Sequence, residues 1–198
     1  AGLLADRMSR RFLMASSEAL RAAALAAILL LIWYGALNLP LLALLGFGAV
    51  CGTVVYSVAA PALVPSLVTA RQLPAANARI ELARTVAFAA GPALGGALVG
   101  WMGAAPAFGI AAGLSAIAVV ALSGIYEPAR QPVARRHRLK EIAEGASFVM
   151  RHALLRPVFI TQFIFNTASF LLLAVFVPYA VRRLGLSAAG VGATLAMY

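Results

Sequence analysis

The chain has 198 residues, 63% of them hydrophobic and only 11% charged, with a formal net charge of +10. Soluble domains carry about 25% charged residues, so a water-soluble globular domain is excluded and lipid is the expected solvent for most of the surface. The positive charge does not indicate nucleic acid as a partner, because the Lys and Arg residues lie between apolar runs and form no basic domain with interleaved aromatics.

The chain opens on the polar stretch GLLADRMSRR, and SSEALRAAALAAILLLIWYGAL then leads into a first span over about Ala22 to Leu37. Asn38-Leu39-Pro40 reads as a turn, since proline suits the first turn of a helix. A second span covers about Leu41 to Ala60, with Pro61 and Pro65 expected to bend or end it. A polar loop with a helix starting near Pro74 precedes the third span, about Ile80 to Val99. Gly103 to Pro106 is a tight turn, and the fourth span runs to about Ile125. The polar stretch Glu127 to Arg156 follows, then a fifth span over about Pro157 to Val181 and the beginning of a sixth.

Charge mapping supports this count. No Asp, Glu, Lys or Arg occurs from Ala22 to Ala70, from Thr85 to Tyr126, or from Pro157 to Val181. Roughly 20 apolar residues cross a bilayer, so the first two runs hold two spans each and the third holds one. The fold class is therefore an all-α polytopic membrane helix bundle. Fourteen of the sixteen Lys and Arg lie on one set of connections, and only Arg182 and Arg183 on the other. Cytoplasmic loops carry the basic excess, so the opening stretch is expected to face the cytoplasm. Trp33, Tyr34 and Trp101 fall near the outer span ends, as in an aromatic belt. In the long loop, Leu139, Ile142, Ala146, Val149 and Met150 recur near helical spacing between charges, which predicts a helix lying on the membrane surface.

Chemistry-bearing groups are few. The single Cys51 excludes an intrachain disulfide, and no CxxC or His-rich spacing suggests a metal or a cofactor. His137 and His152 both lie in the long loop, where solvent or headgroup contact is expected. The apolar runs offer no nucleophile–base pair, so an enzyme is not expected, and no GxxxxGK[ST] points to ATP. Glu81 and Arg84 are i,i+3 neighbours able to pair at the start of the third span. In the fifth span, Gln162, Asn166 and Ser169 share one helix face. Polar groups at membrane depth either line a cavity or bond a neighbouring helix. Both readings stay open, with Gln162 and Asn166 the preferred cavity contacts.

Gly2, Leu4, Ala5, Asp6, Arg7, Arg10 and Arg11 resemble the G-x-L-A-D-R-x-G-R-R/K loop between spans two and three of the major facilitator superfamily. Ser9 departs from the usual Gly, so a looser turn is expected there. GPALGGALVG, with Gly91, Pro92, Gly95, Gly96 and Gly100, resembles the family's antiporter signature in span five, although Ala87 replaces an upstream Gly. Such GxxxG spacings serve close helix packing in any bundle. The span-four arginine of antiporters is missing from LLALLGFGAVCGTVV, where Gly48 and Gly52 keep only the packing spacing.

The resemblance implies an internal piece of a 12-span fold. Residues 1–126 would hold the loop after span two and spans three to six, 127–156 the cytoplasmic connection between halves, and 157–198 span seven and the start of span eight. VPSLVTARQLPAANARIELARTVAFAAGPALGGALVG and EGASFVMRHALLRPVFITQFIFN further resemble the branch of enterobactin exporters and bacterial macrolide efflux proteins. That implies a multi-pass protein of the bacterial inner membrane. It would export a siderophore or drug-like small molecule, with protons as coupling ion, lipid as its surroundings and the missing spans as its partners. Gly2, Asp6, Arg7, Arg10 and Arg11 would act as a gate, and a coupling carboxylate is expected in the missing spans. A carrier of another substrate class or coupling mode, or a membrane scaffold, are the alternatives.

Overall fold

The computed structural model describes residues 8–127 and 138–197, with side chains from 143 onward in the second stretch. Seven helices follow in chain order among the described residues: α1 (Arg10–Trp33), α2 (Leu39–Leu67), α3 (Leu73–Met102), α4 (Ala104–Ser123), α5 (Arg138–Arg151), α6 (Leu155–Arg182) and α7 (Ala188–Ala196). No strand occurs among the described residues. Five of them, α1 to α4 and α6, are long and apolar enough to cross a membrane.

Local chemistry explains the boundaries. The Ser9 hydroxyl accepts from Phe12 N at 3.0 Å and caps α1, satisfying one of the helix's orphan donors. Ser9 has φ −59, a conformation that needs no glycine, and the serine in place of the family's glycine serves as a cap; the rest of that turn lies outside the described residues. Asn38 caps α2 in the same way, its Oδ1 2.9 Å from Leu41 N, with Pro40 in the first turn. Gly103, at φ 87, is the one residue between α3 and α4; the expected turn to Pro106 is therefore shorter, and Pro106 lies inside α4.

Two boundaries differ from the sequence reading. α1 begins at Arg10, twelve residues before the expected span, so Glu18 and Arg21 lie inside it. Pro61 and Pro65 sit within α2, which continues to Leu67. Proline removes one ladder donor, but prolines are tolerated inside membrane helices, where tertiary neighbours hold the segment; next to Pro61, Arg10 Nη1 of α1 donates to Ala62 O.

The chain divides into two compact units, residues 1–132 with 188–198, and residues 133–187. In the first, α1 packs on α2 and α4, while α3 packs on α7. Leu13, Met14, Ser17, Glu18, Ala24 and Ile28 make one buried stripe along α1. At its Arg10 end, Leu13 and Met14 meet Ala59 and Leu63 of α2 and Leu122 of α4 to form the core. No residue of α3 is buried, as expected of a helix presenting apolar side chains to lipid. In the second unit α5 packs on α6, and the exposed His152 Nδ1 accepts from Leu154 N and Leu155 N at 3.3 and 3.4 Å, at the start of α6.

Candidate functional site

The beginning of α1 is tied to a distant acid. Glu127 Oε1 accepts from Arg10 N and its Oε2 from Arg11 N, both at 3.0 Å. These N–H groups lie in the first turn, where a helix has no internal acceptors and favours negative charge. Arg11 Nη1 returns the link by donating to Ile125 O at 3.0 Å and, more weakly, to Ser123 O at 3.4 Å. Burial pushes the Glu127 carboxyl upward, but hydrogen bonds from Arg11 N, Arg10 N and the Ser9 hydroxyl, with the Arg10 charge, hold it below its ordinary value. Gly2, Asp6 and Arg7 of the expected gate lie outside the described residues. Glu127 escaped the sequence reading because the cap is formed across more than a hundred residues.

A second polar group is buried farther along α1. Glu18 is 6% exposed, and Arg21 Nη1 lies 2.9 Å from its Oε1. Arg21 Nη2 also donates to Thr53 Oγ1 of α2 at 2.8 Å. The half-buried Tyr56 lies within electrostatic reach of both charges. Beside this cluster, a β-carbon at Gly52 would sit 3.1 Å from Ser17 O, so α2 approaches the α1 backbone closely there. Gly48 has nothing within 4 Å, and only Gly52 of that pair is used for packing. A readable signal existed: Glu and Arg at i,i+3 between alanine and serine neighbours can neutralise each other inside a helix.

The antiporter-like stretch makes the α3–α7 contact. A β-carbon at Gly96 would lie 2.5 Å from Ala188 O and 3.0 Å from Gly192 Cα; one at Gly192 would collide with Pro92 O. Only hydrogen fits on either side, and the backbones touch as in small-residue membrane interfaces. Gly100 adds ordinary contact with Ala189, whereas Gly91 and Gly95 meet nothing within 4 Å. Gly96 and Gly100 thus carry the packing, with Gly192 as the partner; the Ala188–Gly192 spacing was its sequence signal.

On α6, Gln162 and Asn166 are exposed and Ser169 is half-buried. Among the described residues Gln162 and Asn166 make no side-chain hydrogen bond. Phe159 and Phe163 stack at 6.4 Å on the same helix. On α3, Arg84 and Glu81 pair at 3.0 Å, both exposed, a geometry that contributes little stability.

Long apolar helices, a half-buried ion pair and glycine-mediated helix contacts define a polytopic membrane protein. Its affiliation is narrower: residues 1–197 match the family described as transmembrane secretion effector, and the chain belongs to that family, of the major facilitator type. It is a multi-pass membrane transporter. No curated protein and no solved structure matches the chain.

Proposed function

We propose that this transporter is a proton-driven exporter of a siderophore or drug-like small molecule, working across a bacterial inner membrane by alternating access. The observation that carries the alternating-access part of the reading is the backbone-to-backbone contact of α3 with α7 through Gly96 and Gly192. The basic connection bearing Arg71 lies at the opposite end of α3, so by the basic-loop rule the contact belongs to the outer half of the membrane. Helices that close there without intervening side chains form a barrier on the outer side. A carrier closed outside can receive its substrate from the cytoplasm.

In this reading Gly2, Asp6, Arg7, Arg10 and Arg11 form the inner gate, and Gln162, Asn166 and Ser169 line the substrate cavity. The exposed, unbonded amides of Gln162 and Asn166 suit that role. Further spans complete the bundle to twelve, with residues 127–156 joining its halves.

The test is uptake by inside-out vesicles carrying the full-length transporter, interior acid, with a catecholate siderophore, a macrolide and a cationic dye offered outside. Accumulation that collapses on adding a protonophore supports proton-driven export. Accumulation indifferent to the gradient contradicts it.

A further inference from the structure

Glu18 is the only carboxylate buried among the described residues, and neither topology nor apolar packing requires a charge at its position. At 1.5 Å per residue it lies about 12 Å from the Arg10 end of α1 and about 22 Å from Trp33, within the hydrocarbon depth of a bilayer. Ionisable groups at such depth mark ion pathways and proton relays. We propose that Glu18 is the proton-carrying carboxylate of this transporter and Arg21 its counter-charge. The inference rests on the proton-driven reading above, and it locates the coupling group inside these residues instead of in spans beyond them.

The surroundings are simple enough to follow the charge. From α1 itself Arg21 faces Glu18. From α2 come the Tyr56 phenol and, through Arg21, the Thr53 hydroxyl. α4, the other helix packed on α1, has no titratable residue between Ala104 and Ser123. The deprotonated pair is neutral, with Arg21 shared between Glu18 and Thr53. When a proton joins a Glu18 Oε, the ionic attraction to Arg21 Nη1 is lost and the site carries one positive charge. Arg21 keeps its bond to Thr53 Oγ1, so its hold passes from α1 to α2. The exchange happens beside the close Ser17–Gly52 approach, where a small change in helix separation alters backbone contact. Release of the proton restores the pair.

A purely structural ion pair makes the opposite prediction, because a buried pair replaced on both sides by neutral groups often loses nothing. The experiment uses the full-length transporter in inside-out vesicles, as wild type, Glu18→Gln, Glu18→Asp and Glu18→Gln/Arg21→Gln. Uptake of the macrolide, siderophore and dye is measured with an interior-acid gradient and as exchange at equal pH. Acid-minus-neutral infrared difference spectra read carboxyl protonation without any substrate. The expected result is a protonated-carboxyl band that shifts in Glu18→Asp and disappears in Glu18→Gln. In the doubly neutral variant, exchange persists while gradient-driven uptake falls roughly tenfold or more. Gradient-driven uptake retained by that variant overturns the proposal, as does a spectrum unchanged by Glu18→Gln or the joint loss of exchange and uptake. A wild type that exchanges substrate but ignores the gradient overturns the proton-driven reading itself, and the Glu18 assignment with it.

Discussion

A cysteine at Gly100 and another at Ala189 should find each other, because a β-carbon at Gly100 lies 3.8 Å from Ala189 Cβ. Disulfides span Cβ separations of about 3.5–4.5 Å, so neither helix has to move. The native thiol, Cys51, is exposed and is first replaced in Cys51→Ser. Oxidation then closes a loop of about 90 residues, which restricts the unfolded chain by roughly 4–5 kcal/mol in the loop-entropy description and holds α3 against α7. Polymer–maleimide gel shifts count the remaining thiols, and vesicle uptake is measured before and after reduction. The expected result is complete cross-linking, uptake reduced roughly tenfold or more, and recovery on adding reductant. The pair Gly91→Cys/Ala189→Cys serves as control and stays reduced, since nothing approaches Gly91. If the Gly100 and Ala189 cysteines both stay reactive, the helices do not meet as described. If they link and uptake is unchanged, the contact does not open during transport.

Gly192→Ala drives a methyl against Pro92 O and should destabilise by about 1–3 kcal/mol through overpacking. Gly91→Ala meets open space and should be neutral or slightly stabilising in a detergent melting assay, so equal melting of the two variants would refute the contact. Glu127→Gln should lower the melting temperature at neutral pH by weakening the cap on α1. Because the folded carboxyl is held below its ordinary value of 4.5, its contribution is complete above that pH and disappears as pH falls through the folded value. Wild type and variant therefore converge in acid, and a gap that persists there would contradict the assignment. Asn166→Ala should weaken uptake of one substrate more than others while leaving thermal stability within about 0.5 kcal/mol, as for an exposed side chain; equal loss for every compound would argue against a cavity role.

The spans themselves were readable because charge is expensive in lipid, and long charge-free runs such as Ala22 to Ala70 mark them directly. That rule misplaced the start of α1 for a physical reason. Glu18 and Arg21 neutralise each other within one turn, and a map of single charges treats the pair as loop. The prolines at 61 and 65 misled as well, since a membrane helix packed on its neighbours continues through them to Leu67. Gly96 was visible as part of a spacing, but the repeat offered several glycines equally, and only the arrival of α7 selects between them. Glu127 was the least legible, because its partners are the backbone N–H groups of Arg10 and Arg11 at the far end of the first unit.

The central claim, that this transporter exchanges protons for an exported molecule, is tested most directly by a pH-sensitive dye sealed inside acid-loaded inside-out vesicles. The account predicts that adding a transported compound outside raises the interior pH in step with its uptake, and that Glu18→Gln abolishes the rise while exchange continues. Uptake that proceeds with the interior pH unchanged would contradict it.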